Sequence, residues 1–132
     1  MDHGLHVLRS HPQKPMAAVE DCLKACLDCL LACTACADAC LSERNGASLS
    51  DCIRLDVVCA AACAATIPTL VSSGSAAGRA PLKAQLSACI AACSACEAEC
   101  RRHANHHRHC AHCADACQIC RAACETLLKA LV

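Results

Sequence analysis

Apolar residues in this chain recur at alternating steps of three and four, the period of a helix with one face turned inward. Four stretches carry the pattern, and the residues between them set their limits. The first is predicted to open near Pro15, a residue suited to the first turn of a helix, and to run to about Arg44, where Asn45-Gly46 stops it. The second follows Ser48 and reaches about Leu70, with Pro68 expected to kink or end it. A Ser/Gly-rich link over residues 72–78 leads to a third helix, from Pro81 to about Ala104. A short break near Asn105 precedes the fourth, which extends nearly to the C-terminus. Helices of similar length joined by short links predict an all-α fold, an antiparallel up-down-up-down four-helix bundle over residues 15–132. Residues 1–14 are expected to form a flexible tail.

The inward positions are mostly cysteine. The first predicted helix carries Cys22, Cys26, Cys29, Cys33, Cys36 and Cys40, spaced as the a and d positions of a bundle core. The second carries Cys52, Cys59 and Cys63, with Asp56 in the slot where another cysteine would fall. Cys89, Cys93, Cys96 and Cys100 follow the same rule on the third, and Cys110, Cys113, Cys117, Cys120 and Cys124 on the fourth. All 18 cysteines of the 132-residue chain therefore lie on inward stripes. Extended past the last cysteine in one direction, the stripes reach Val19, Ile67, Leu70, Leu82, Leu86, Leu127 and Leu131, an aliphatic plug. In the other direction they reach His103, His106, His107 and His109, with Cys40, Cys52, Cys100 and Cys110 gathered at the same end.

Composition narrows the meaning of this pattern. There is no Phe, Trp or Tyr, so the rings that normally fill a core of this size are missing and another occupant is implied. Twelve basic and twelve acidic residues cancel, leaving no global field to recruit nucleic acid or anionic lipid. The uncharged run from Val57 to Gly78 is broken by Pro68 and ended by Ser and Gly, which argues against a membrane span. The first residues, Met1 to Pro12, lack the apolar run and cleavage site of a secretory signal. A cytoplasmic, reducing setting is expected, in which thiols remain free for metals.

Cysteines at i and i+4 on one helix have Cβ atoms about 5–6 Å apart, close enough for both sulfurs to grip one ion. Eight such pairs occur, among them Cys22/Cys26, Cys59/Cys63 and Cys120/Cys124, and intervening steps of three let neighbouring ions share sulfurs. Soft thiolates favour copper(I), with zinc and iron–sulfur clusters as competitors. A buried thiolate without a partner is costly, so one monovalent ion per thiolate is the neutral filling, about one copper(I) per cysteine. Storage without catalysis is the reading that follows. A zinc or mixed-metal buffer built from facing pairs is one alternative. A thiol–disulfide redox protein is the other, with only Cys110/Cys113, flanked by His109 and His112, in a setting that suits exchange.

The polar residues near the stripes divide between two readings each. His103, His107 and His109 are either transient copper ligands at an open mouth or part of an ordinary solvated turn. Asp56 is either a ligand or a hydrogen-bonded core carboxyl. Ile53, Val57, Ala60, Ala61 and Ala64 form an uncharged outer face on the second helix, the kind of patch that marks self-association.

The CxxxC and CxxC stripes over residues 19–131 resemble those of the bacterial copper storage proteins, and among them the cytosolic branch. The resemblance implies a four-helix bundle filled with copper(I) ions, a homotetramer, a role in copper homeostasis or detoxification, and loading through the histidine end. Exported members tend to place methionines at that mouth. Met1 and Met16 are the only methionines here and neither falls there, which leaves that role to histidine.

Overall fold

The computed structural model of the protein describes residues 2–44 and 46–131. Five α-helices follow one another: α1 (Asp2–Arg9), α2 (Ala17–Leu41), α3 (Ser50–Val71), α4 (Arg79–His103) and α5 (Arg108–Ala130). Short 3₁₀ turns, Gly46–Leu49 and Ala76–Gly78, lead into α3 and α4. Consecutive long helices pack on each other and α5 returns against α2, which closes a four-helix bundle with up-down-up-down order. The Asn45 part of the first stop signal lies outside the described residues.

The segment expected as a flexible tail begins instead with α1. Leu5 and Leu8, one helical turn apart, rest against the bundle, and Leu8 is buried. Arg9 pairs with the Glu20 carboxylate at the start of α2, and Ser10 Oγ donates to the His6 carbonyl at 2.7 Å, closing the helix end. The Leu5–Leu8 spacing carried this signal, though eight residues are too few to hold a helix without tertiary contacts.

Pro68 does not end its helix: α3 continues through it to Val71. Pro68 forgoes the bond its own N–H would make to the carbonyl four residues back, yet Ser72 N–H still donates to the Pro68 carbonyl at 3.2 Å and completes the last turn. The uninterrupted 22-residue α3 is therefore long and apolar enough to cross a membrane by length and composition alone. In the bundle, its Cys52, Asp56, Cys59, Cys63, Thr66 and Leu70 are buried against the other helices, an ionisable group among them. Pro81 falls within the first turn of α4, where its missing N–H has no helical partner to lose.

The core runs the length of the bundle and changes character along it. At one end Val19, Leu70, Leu82, Leu86 and Leu127 are at most 1% exposed, and Leu131 is buried beside them. Each such leucine contributes roughly 1.5–3 kcal/mol through burial. Thr66, and not Ile67, takes the α3 position in this plug: Ile67 is only partly buried, while Thr66 is fully enclosed. The alternation 52, 56, 59, 63 calls for a step of three next, which lands on 66. Thr66 Oγ1 donates to the Ala62 carbonyl at 2.7 Å and accepts from Gln85 Nε2 at 3.3 Å, so its hydroxyl is satisfied inside the plug. At the opposite end Leu49, in the turn before α3, is fully buried and extends the same stripe.

Candidate metal centre

Every cysteine is buried, none more than 2% exposed, and all are free thiols. Helical periodicity places each sulfur on the bundle axis, and burial there brings sulfurs from different helices into contact. Cys52 and Cys100 approach to 3.5 Å, Cys22 and Cys124 to 3.6 Å, Cys59 and Cys93 to 3.7 Å, and Cys26 and Cys120 to 3.7 Å. The expected CxxxC pairs are also close where Cys29 meets Cys33 at 3.8 Å, Cys96 meets Cys100 at 3.9 Å and Cys36 meets Cys40 at 4.0 Å. Contacts between helices thus add a second set of pairings, which spacing along one helix could not reveal.

Larger groups follow from these pairs. Cys26, Cys89, Cys120 and Cys124 have sulfurs within 4.8 Å of one another, as do Cys29, Cys59, Cys63 and Cys93. Cys33, Cys96, Cys113 and Cys117 form another such set, and Cys36, Cys40, Cys52 and Cys110 a further one. Cys29, Cys33, Cys59 and Cys117 overlap two of these, so sulfurs are shared between neighbouring sets. A thiolate–metal bond of about 2.3 Å puts the sulfurs of a three-coordinate ion about 4 Å apart, and those of a linear one about 4.6 Å apart. The observed separations need small rotamer changes at most.

Asp56 sits inside this lattice and is completely buried. The thiols of Cys96 and Cys113 both donate to its Oδ1 at 3.2 Å, Cys100 donates to the same oxygen at 3.7 Å, and Cys52 lies 4.0 Å from Oδ2. Burial pushes its carboxyl up to about 8. Among the described residues it is the one carboxyl in contact with sulfurs from three helices.

The histidine end resolves the candidates individually. His109, near the start of α5, is half-buried and turns Nδ1 toward the Cys36 and Cys110 sulfurs at 3.6 Å and that of Cys40 at 3.9 Å. Its Nε2 lies 3.4 Å from the Glu43 carboxylate. His107 precedes α5 in extended conformation and lies 3.5 Å from the other Glu43 oxygen. The His107 and His109 rings are 5.4 Å apart. His103 faces elsewhere, with Nε2 at 2.8 Å from Glu99 on its own helix. Burial and the charge of Cys52 push the Cys40 thiol up to about 11, and the same causes raise Cys110. Sequence reasoning passed over Glu43 and Glu99. Glu43 was nevertheless marked, since the stripe 36, 40 continues by a step of three onto it.

An axis of buried, free thiols with overlapping four-sulfur sets fits the family whose sequence profile matches over residues 15–129: Csp, the copper storage proteins. This chain belongs to that family. Solved structures agree. Ccsp of Streptomyces lividans loaded with 10 copper equivalents is similar at 44% identity with a TM-score of 0.87, over 94% of this chain and 96% of that one. A five-copper form of the cytosolic copper storage protein from the same organism matches at 48% identity and a TM-score of 0.81, covering 85% and 92%. The copper(I)-bound storage protein BsCsp3 matches at 38% identity and a TM-score of 0.72, covering 83% and 96%. No curated protein sequence matches. In this copper storage protein, then, the cysteine stripes have the meaning the spacing suggested: they form a core for copper.

Proposed function

We propose that this copper storage protein sequesters copper(I) on the thiolates of Cys22 through Cys124, with residues 15–132 as the binding domain. The supporting observation is the continuity of the sulfur lattice. Each set shares or touches a sulfur of the next, from Cys22/Cys124 beside the plug to Cys40/Cys110 at the histidine end. Each ion displaces one thiol proton, so uptake is neutral overall and falls as pH drops. Asp56 supplies a carboxyl oxygen within the lattice and His109 a ring nitrogen at its end; both are counted as ligands. His107 lines the rim, and His103 serves only after it releases Glu99.

Storage without catalysis is favoured over thiol exchange by the state of Cys110. Exchange needs an accessible thiol with a lowered pKa, whereas Cys110 is buried and burial raises it. A cytoplasmic location suits free thiols, and the Streptomyces lividans relative is itself described as cytosolic. Self-association into a tetramer is supported by Val57 and Val58, more than half exposed on the outer face of α3. Sedimentation equilibrium showing only monomer would remove that part of the reading.

Anaerobic titration of the reduced protein with copper(I), followed by gel filtration, tests the core of the proposal. Uptake approaching the 18 cysteines is expected. Saturation at about four ions, matched by zinc, would point to the tetrahedral buffer instead.

A further inference from the structure

We propose that Glu43 is a positioning residue for copper(I) loading: it selects the tautomer of His109 that presents a lone pair to the thiols at the open end. The inference rests on the reading of His109 as a ligand. A neutral imidazole has one N–H and one lone pair, on different nitrogens. His109 places Nδ1 among the sulfurs of Cys36, Cys40 and Cys110, at 3.6 to 3.9 Å, and Nε2 against Glu43 Oε1 at 3.4 Å. With the proton on Nε2, that N–H donates to the carboxylate and Nδ1 is open toward the sulfurs. With the proton on Nδ1, two acceptors would face each other across the Glu43 contact and the lone pair would point away from the thiols. The carboxylate therefore favours the ligand-ready form, as carboxylates behind metal-binding histidines do.

Two further contacts hold Glu43 in place for this. Its backbone N–H donates to the Cys40 carbonyl at 3.2 Å, which ties the carboxylate to the residue whose thiol lies on the other side of the His109 ring. Its second oxygen, Oε2, lies 3.5 Å from His107 Nδ1, so the carboxylate bridges two mutually tilted rings whose centres are 5.4 Å apart. Ring, carboxylate and the three thiols facing the ring thus come from α2, the residues just after it and the start of α5, with Cys52 of α3 beside those thiols.

Two readouts test the role, one of them independent of copper. ¹⁵N-histidine NMR of the reduced metal-free protein, at mildly alkaline pH where imidazole is neutral, should report Nε2–H for His109 in the parent protein. Glu43→Ala should shift it to a tautomer mixture, and Glu43→Gln, whose amide oxygen still accepts, should restore it. Stopped-flow loading with copper(I) should show the first ions taken up about tenfold more slowly in Glu43→Ala, with recovery in Glu43→Gln and an unchanged final count. Recovery in Gln separates positioning from simple attraction of a cation by negative charge, because Gln restores only the acceptor. A His109 tautomer unchanged in Glu43→Ala, or equal loading rates, overturns the positioning role. His109→Ala loading at the parent rate overturns the ligand reading beneath it, and the NMR result then stands or falls separately.

Discussion

The two ends of the bundle are made by the same helical stripe and behave as opposites. At one end Val19, Thr66, Leu70, Leu82, Leu86 and Leu127 close the axis with aliphatic side chains and a single satisfied hydroxyl. At the other the stripe passes from buried Cys40 to Glu43 and meets His107 and His109, the last three partly exposed. The fold needs the first end, because the sulfur-lined middle has no large hydrophobes. On the proposed reading function needs the second, because an ion must lose water and gain ligands somewhere. One periodic pattern would then carry stability at one end and access at the other, according to residue type alone.

That contrast can be broken most forcefully at the plug. Leu82→Ala with Leu86→Ala should cost about 4–10 kcal/mol in unfolding of the metal-free protein, from two fully buried leucines at about 2–5 kcal/mol each. Denaturant melts of the reduced protein read this. Copper capacity should survive wherever the variant still folds.

In the middle, Asp56 gives the metal-free protein a pH dependence of the opposite sense to a paired carboxylate. Its carboxyl is raised to about 8 in the fold and returns to the ordinary range, near 4, on unfolding. Below that ordinary value both states are protonated and the group contributes nothing. Between the two values the unfolded chain loses a proton that the folded one keeps, so stability falls as pH rises. From about pH 5 to 7.5 the loss is on the order of 3 kcal/mol. Asp56→Asn should flatten this slope; parallel slopes in variant and parent would show that Asp56 ionises normally.

The mildest expected effect on stability is at the open end. His109→Ala should change unfolding free energy by no more than about 0.5 kcal/mol, since its side chain is partly exposed. Its effect belongs to loading kinetics, with slower uptake of the first copper(I) ions and a nearly unchanged total. A large stability loss there would mean that the mouth is structural after all.

Much of this organisation was legible in the chain because a helical stripe is a local, periodic signal. The four long helices, the cysteine seam, the polarity of its ends and the placement of Asp56 all follow from spacing, and the family assignment agrees. What was missed depends on tertiary context. Pro68 was read as a kink or an end, yet α3 continues past it to Val71. Residues 1–14 were read as a tail, yet Leu8 docks α1 and Arg9 pairs with Glu20. Thr66 and Glu43 occupy stripe positions but look polar, so apolar reasoning skipped them, although the alternation of threes and fours marks both. Contacts such as Cys52 with Cys100 or Cys22 with Cys124 join residues from different helices, and no spacing within one helix encodes them.

The aliphatic plug has a further consequence for how copper would leave. A column of sites sealed at one end and reached only from the other behaves as a stack: ions seated deepest arrive early and depart late. Copper held by Cys22 and Cys124, beside the plug, would then be long-term reserve. Copper near Cys40 and Cys110 would be the exchangeable fraction that meets short-term demand.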